Sequence, residues 1–405
     1  MRPFEGRRIL LGITGGIASY KSVTVARLLT QAGAEVDVVM TRAAQEFVGA
    51  ITFEAVTGRR IYTDIFGAGN ALDHIKLARE ASIFVVAPAT ADFLARAAHG
   101  MADDLLTACL LANTSPVLLV PAMNDRMWAN AQTKQNVRQL RKLGYKVLDP
   151  DEGPLAVGEG SGPGRMPEPE AIVAEIGRVL EPRTRLAGLK IVVTAGATRE
   201  AIDPVRFISN HSTGKMGVAL AQAAWRRGAE VTLVAGHIDV PSPHGVDAIH
   251  VETVSEMKDS IEEILPSTDV LIMAAAPADF RPSSPATRKI KKESQKSGPP
   301  KPIELAETED ILATTRSARK KGSIVIGFAL ETEDLLNNSA KKLEQKGLDL
   351  IVANSAVDEG TGFGGDTNRV TILSAGGAIE EIAMMKKTEV ADLILDRVEA
   401  LLNGR

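Results

Sequence analysis

Residues 189–217 read LKIVVTAGATREAIDPVRFISNHSTGKMG and run into a helical segment ending at Arg227, followed by GAEVTLVAG. Lys190–Thr194 is a short β-branched run of the kind buried in a sheet. In the turn Ala195-Gly196-Ala197-Thr198, Gly196 lets a ligand come close to the backbone. Asn210, Ser212, Thr213, Gly214 and Lys215 then bring small hydrogen-bonding side chains and one cation up to helix signals that begin at Met216. Backbone N–H groups, hydroxyls and a lysine at a helix N-terminus make a place for anions.

The same plan stands at the N-terminus. Arg8–Ile13 is a strand, Thr14–Ala18 a turn, Lys21–Gln31 a helix and AGAEVDVVMT the next strand. TQAGAEVDVVM and WRRGAEVTLVA thus occupy corresponding places in two units. Two such openings, in a chain of 405 residues, predict two α/β domains, each long enough to bury its own core.

Composition narrows the function classes. A net charge of −4 gives no global argument for nucleic acid or acidic membranes. The single cysteine, Cys109, rules out a disulfide framework, and no Cys/His cluster suggests structural zinc. The N-terminal apolar run is too short for a signal peptide, and no stretch reaches the roughly 18 apolar residues of a membrane helix. A reducing, cytoplasmic location is expected.

Further strands are predicted at Val36–Met40, Ile83–Ala87, Val117–Pro121 and Lys146–Leu148, with helices between them. That alternation predicts a doubly wound, mostly parallel sheet with ligands at the carboxyl ends of its strands. Thr41, the run from Pro88 to Asp92, and the run from Pro121 to Asn124 follow strands. His74 is placed just before a helix Ile75–Glu80. The glycines around Gly12–Gly16 lack dinucleotide spacing, and no acidic residue ends the second strand to hold a ribose, which disfavours a dinucleotide but not a mononucleotide. Residues 149–166, with five glycines between Gly153 and Gly164, read as a long loop, either a functional flap or a mobile linker. A helix follows over Glu170–Leu180.

In the second domain, strands are expected at Val231–Ala235, Val270–Ala275, Ser323–Phe328, Asp349–Ala353 and Arg369–Leu373, with a closing helix Glu389–Leu402. Arg281–Pro302 holds seven Lys/Arg against one Glu. It is either a solvated basic loop or a strap over a polyanion such as a nucleoside triphosphate.

Several motifs in one order then carry a resemblance. The first half contains GITGGIASYK, HIKL from His74, PATADFLARAAHGMADDLL and PAMNDRMW. The second contains VTAGATREAIDPVRFISNHSTGKMG, AAAPADFRP, KIKK, GFALETE, KKLEQKGLDLIVANSA and FGGDTNRVTIL. Over essentially its whole length the chain resembles the bifunctional coenzyme A biosynthesis proteins, in which phosphopantothenoylcysteine decarboxylase is fused to phosphopantothenate–cysteine ligase. The resemblance implies a flavodoxin-like or Rossmann-like FMN domain at 1–180, a linker at 181–188 and a Rossmann-like ligase domain at 189–405.

For the decarboxylase it implies FMN contacts at Gly15, Ile17, Thr41 and Thr90, His74 as the base supporting thiol oxidation, and Asn124 holding the substrate carboxylate. A carboxylate beta to a thiol leaves only once oxidation of the thiol supplies an electron sink, and the flavin provides that oxidation. For the ligase it implies activation of the 4′-phosphopantothenate carboxylate by CTP to an acyl-cytidylate, with pyrophosphate released, and displacement of CMP by the cysteine amine. Lys289 is then the candidate for stabilising the phosphoryl transition state and Asn210 for holding the acyl intermediate. Met273, Ala274, Ala275, Asp279, Thr308, Asp310, Ile311, Phe328, Lys342 and Lys346 are implied to bind CTP with Lys289, together with Mg²⁺ or Mn²⁺ on unassigned ligands. Lys342 and Lys346 share a helix face at i,i+4, which suits two contacts to one triphosphate and equally a solvated surface.

Family decarboxylase domains form trimers that assemble further into dodecamers, and ligase domains pair, so a homo-oligomer is expected. The chain departs from the family at the flap, which usually reads Ala-Cys-Gly and here reads Ala156-Val157-Gly158. Either Glu159, another acid or water supplies the proton that the cysteine donates, or the first domain is a non-catalytic FMN-binding module on an active ligase. Asp92 replaces the usual Asn.

Overall fold

β1 (Arg8–Ile13) buries every residue after its first, as a parallel strand covered on both faces must. It lies near the middle of a sheet completed by β2 (Glu35–Met40), β3 (Ile61–Tyr62), β4 (Ile83–Ala89), β5 (Val117–Pro121) and β6 (Lys146–Val147). The order is β3-β2-β1-β4-β5-β6, with every pairing parallel. Alternate residues feed two cores. Ile9, Leu11 and Ile13 pack with Val25 and Leu29, Phe53, and Ile172 and Ile176 from three helices on one face. Leu10, Phe84 and Val86 pack with Leu77, Leu94, Leu106 and Leu140 from four helices on the other. The helix after β1, Ser19–Gln31, and the helix after β4, Ala91–Ala98, therefore leave toward opposite faces and open a crevice at the carboxyl ends of these neighbouring strands.

The computed structural model describes residues 3–66, 72–155, 158, 160–182, 184–291, 302–331, 333–355 and 364–404. The chain divides into Met1–Pro182 and Arg183–Arg405. No described helix is long and apolar enough to cross a membrane.

Two expectations change in the first unit. The helix carrying His74 is Asp73–Glu80, so His74 lies in its first turn rather than before it. Asp73, favourable near a helix N-terminus, accounts for the earlier start. The glycine-rich stretch contains a hairpin, with β7 (Asp151–Pro154) antiparallel to β8 (Ser161–Arg165). Backbone pairing needs no apolar periodicity, which is why composition alone suggests a loop. Val157 and Glu159, between β7 and β8 in the sequence, lie outside the described residues.

The second unit carries β9 (Lys190–Ala195), β10 (Arg199–Asp203), β11 (Arg206–Ser209), β12 (Glu230–Ala235), β13 (Asp247–His250), β14 (Val270–Met273), β15 (Phe280–Pro282), β16 (Leu305–Glu307), β17 (Ile324–Glu331), β18 (Leu350–Ser355), β19 (Thr367–Ser374) and β20 (Ile379–Lys386). Its main sheet runs β13-β12-β9-β14-β17-β18-β19-β20. The strands are parallel through β18, while β19 and β20 close the edge antiparallel. The β10–β11 hairpin and the antiparallel β15–β16 pair stand outside it.

The expected close approach at Gly196 is made by the chain itself. Gly196 has φ +80°, and a Cβ there would lie 2.2 Å from the His237 carbonyl oxygen. At Gly217 a Cβ would meet the Thr194 oxygen at 2.6 Å, so this glycine lets the helix Lys215–Arg226 lie directly on β9.

Candidate active sites

In the first unit, the residues implied to touch FMN gather at adjacent strand ends. Gly15 and Ile17 follow β1, and a Cβ on Gly15 would stand 2.4 Å from the Cβ of Ala43, bringing this turn against the segment after β2. Thr41 caps that segment by accepting from the Ala44 N–H at 3.2 Å. Thr90 caps the helix after β4 through the Phe93 N–H at 3.3 Å and donates its own N–H to Thr14 at 3.1 Å. Its methyl faces Gly16, where a Cβ would sit 3.8 Å away. The N–H groups of Gly15, Gly16 and Ile17 have no acceptor among the described residues, and Ile17 is 67% exposed. This is an anion cradle beside an exposed apolar side chain, and it fits a flavin mononucleotide: uncharged donors for its phosphate and an apolar surface for its ring.

His74 is half-buried, and its Nδ1 is buried without a partner among the described residues. A buried imidazole nitrogen without a partner departs from the usual pairing of buried polar groups. Asn124 serves as the cap of the helix Asp125–Ala129, its Oδ1 accepting from Arg126 N–H at 2.9 Å, which leaves its amide N–H groups for a carboxylate. The hairpin lies against this cap. Met123 N–H donates to the Gly164 carbonyl at 3.0 Å, and a Cβ on Gly164 would be 2.2 Å from the Met123 oxygen. The flap and Asn124 thus form one surface. Asp92 is engaged with Arg96 at 3.2 Å. Burial pushes the Cys109 thiol up to about 12, so it is an inert core group.

The second unit holds a cavity of about 650 Å³ at the carboxyl ends of β14, β17 and β18. The loops around it are stitched together. Thr194 Oγ1 accepts from Ala275 N–H at 3.0 Å, Thr198 Oγ1 from Ala278 N–H at 2.9 Å, and the Gly196 carbonyl from Ala276 N–H at 2.8 Å. Thr308 reaches across, its hydroxyl donating to the Ala278 carbonyl at 2.6 Å.

Apart from Lys289, every residue implied to bind CTP lines this cavity, from Met273, Ala274, Ala275 and Asp279 through Thr308, Asp310, Ile311 and Phe328 to Lys342 and Lys346, and Asn210 joins them. The two lysines are held by carboxylates, Lys342 by Glu331 at 2.7 Å and Lys346 by Asp310 at 3.0 Å. Lys289 is exposed and does not line the cavity.

Sequence reasoning missed the far wall. Lys387, 6% exposed, and Asn354 and Asn368 also line the cavity, and the Oδ1 atoms of both asparagines are buried without a partner among the described residues. Burial, then the Lys215 ammonium, pushes Lys387 below the ordinary lysine value, with Asp366 opposing. Lys215 is itself fixed by Asp366 at 2.7 Å, which holds that carboxyl below its usual range. FGGDTNRVTIL placed Asp366 and Asn368 within a recognised motif, but no periodicity marked Lys387, at the start of the closing helix Lys387–Asn403, as a cavity residue.

A cradle for a mononucleotide in one α/β unit and a polar cavity in a second define a two-domain flavoprotein with a separate small-molecule site. Residues 2–181 match the flavoprotein family, and residues 186–402 match the family described as the DNA/pantothenate metabolism flavoprotein C-terminal domain. The coenzyme A biosynthesis bifunctional protein CoaBC of Mycobacterium tuberculosis is 46% identical over 412 residues, covering 98% of this chain and 97% of that protein. Its Bacillus subtilis counterpart is 44% identical over 402 residues, covering 98% of each. A crystal structure of the C-terminal domain of a protein of that name is 36% identical, with a TM-score of 0.46, and covers 54% of this chain and 98% of its own. The chain belongs to the family of bifunctional coenzyme A biosynthesis proteins. It is an enzyme with both the decarboxylase and the ligase activity, and nothing in these relatives favours a non-catalytic first unit.

Proposed function

We propose that the second unit joins cysteine to 4′-phosphopantothenate at the expense of CTP, and that the first decarboxylates the product to 4′-phosphopantetheine with FMN. The observation that supports the ligase reading most is the convergence of ten implied CTP residues and Asn210 on one cavity. A carboxylate is a poor electrophile. Its oxygen attacks the α-phosphorus of CTP, the α–β bond breaks, and pyrophosphate leaves with the bonding pair. The cysteine amine then attacks the acyl carbon and expels CMP.

Negative charge accumulates on the transferring phosphoryl, and fixed cations in a partly desolvated site stabilise it. Lys342 and Lys346 are read as holding the nucleotide, Lys289 as stabilising the phosphoryl, and Asp279 as meeting the cytidine or its ribose. The divalent ion, Mg²⁺ or Mn²⁺, is read as arriving with the triphosphate. Magnesium is commonly held by phosphates and one or two carboxylates, and Glu307, Glu309 and Asp310 line the cavity.

Asn210 has a directed role. Its Nδ2 donates to the carbonyls of Ala276 at 3.1 Å and Pro277 at 3.0 Å, so its Oδ1 is left to accept from a substrate N–H or O–H.

In the first unit, bound FMN supplies the oxidation of the thiol that makes loss of carbon dioxide feasible. His74 Nδ1, open and buried, is read as taking the thiol proton. Asn124 amide N–H groups hold the substrate carboxylate before it leaves. A cytoplasmic homo-oligomer is part of the same reading.

The test is product analysis by mass spectrometry under anaerobic conditions with 4′-phosphopantothenate, cysteine, CTP and Mg²⁺. Release of CMP and pyrophosphate with phosphopantothenoylcysteine supports the ligase assignment, and AMP formation on substituting ATP at equal rate would remove the cytidine preference.

A further inference from the structure

One guanidinium joins two walls of the ligase cavity. Lys342 and Lys346 belong to the helix Leu335–Gln345 and its C-cap, and Asp310, Ile311 and Leu312 to the helix Ile311–Thr314 and its N-cap; all five line the cavity. Arg319, half-buried, reaches both helices. Its Nη1 donates to the carbonyls of Lys346 at 3.2 Å and Gly347 at 3.1 Å, and its Nη2 to the carbonyl of Leu312 at 2.5 Å. The longer helix does not need this contact in order to end. Gly347, at φ +59°, closes it, because the Gly347 N–H donates to the Glu344 carbonyl at 3.1 Å and the Leu348 N–H to the Leu343 carbonyl at 3.0 Å. What the guanidinium adds is the link to Leu312. Lys346 Nζ meets Asp310 at 3.0 Å between the same two helices, so this lysine is held through its backbone at one end and its ammonium at the other.

We propose that Arg319 is a positioning residue of the ligase, gripping the two helices together so that Lys346 stands preset for CTP. The inference rests on the reading of Lys346 as a nucleotide-holding cation. Leu312, Leu343 and Leu348 share one apolar core, but apolar contact is non-directional and leaves the helices free to slide. The planar fork of a guanidinium fixes direction as well as distance, and here two of its nitrogens serve two different walls. A lysine has a long flexible stem, and anchoring its backbone lowers the ordering cost met when the nucleotide arrives. The charge at Arg319 is kept where its surroundings disfavour it. Burial, then the neighbouring Arg316, pushes the group below the ordinary arginine value, with Asp349 and Asp310 opposing. Its partners in the two helices are carbonyls, and the end of the longer helix is where a cation is favoured.

The test is a double-mutant cycle on the full-length protein, read as pyrophosphate release with CTP varied at saturating Mg²⁺, 4′-phosphopantothenate and cysteine. Arg319→Met is expected to raise the KM for CTP roughly tenfold, the scale of one hydrogen bond to a charged group. Lost nucleotide holding leaves turnover alone, so kcat and the KM for 4′-phosphopantothenate should move by no more than about twofold. In a Lys346→Met background the Arg319 change should alter the KM for CTP by no more than about twofold. A parental KM for CTP in Arg319→Met, or the same rise in both backgrounds, overturns the positioning while leaving Lys346 in place. A fall in kcat with the KM for CTP unchanged marks a merely structural residue and overturns it equally. A parental KM for CTP in Lys346→Met removes Lys346 from the nucleotide site and Arg319 with it. Arg319→Lys keeps the charge but replaces the fork with a single point donor. It is run in the same cycle and decides the matter if Arg319→Met does not fold: a raised KM for CTP supports the grip on two walls, and a parental one overturns it. Decarboxylation of supplied phosphopantothenoylcysteine is the internal control and should be unchanged throughout.

Discussion

Asn210 donates its side-chain amide to the carbonyl oxygen of Ala276 at 3.1 Å, tying the segment after β11 to the segment after β14 across the cavity. The two carbonyls it serves fix which end of the amide is nitrogen, because the reverse orientation would set oxygen against oxygen. Asn210→Asp does just that. Ligase turnover is expected to fall on the order of a hundredfold, measured as CMP release, with decarboxylation of supplied phosphopantothenoylcysteine retained. A turnover within twofold of the parent would detach Asn210 from the reaction.

His74→Asn is expected to abolish carbon dioxide release and leave CMP formation at the parental rate. His74, the proposed base, belongs to the first unit, and the proposed ligase residues lie in the second. Loss of both activities would contradict separate sites.

Cys109→Ala should leave decarboxylation unchanged. Its thiol, pushed up to about 12 by burial, is a poor proton donor and closed to reagents. A thiol reagent at pH 8 should not titrate it until denaturant is added, and immediate titration in the folded chain would show that the helix Leu105–Ala112 opens.

The acid stability of the second unit should depend on Asp203. A carboxyl whose folded pKa is depressed contributes stability that is present above its unfolded value and is lost as pH falls through the folded one. The difference in urea midpoint between the parent and Asp203→Asn should therefore be constant from about pH 7 to 5 and shrink as pH falls below about 4. A pH-independent difference would assign the effect to packing instead of charge.

Gly217→Ala should destabilise the second unit by about 1–3 kcal/mol. Its new Cβ would meet the Thr194 oxygen and the Ala195 Cβ, both at 2.6 Å, forcing the helix Lys215–Arg226 off β9. Urea unfolding monitored on the second unit checks this, and an unchanged midpoint would mean that the helix shifts without loss.

Much of this fold was legible because parallel strands covered on both faces read as continuous apolar runs, as RILLGI and KIVVTA do. The hairpin β7–β8 was not, since glycine-rich strands pair through backbone alone and leave no pattern of side chains. At Gly196 the residue type was informative but its cause was not: a glycine that admits a ligand and one that admits a His237 carbonyl look alike in sequence. In the ligase cavity the motif residues were legible through resemblance. Lys387 was not, because a Lys-Lys pair at the start of an amphipathic helix carries no sign of burial, and the burial of Lys387 depends on β20 and the sheet edge that brings it to the cavity.

The most direct measurement is mass spectrometry of an anaerobic mixture of the purified protein with 4′-phosphopantothenate, cysteine, CTP and Mg²⁺. Two working units predict accumulation of 4′-phosphopantetheine together with CMP. A mixture that stops at phosphopantothenoylcysteine would contradict the decarboxylase half, and one that forms no CMP would contradict the ligase half.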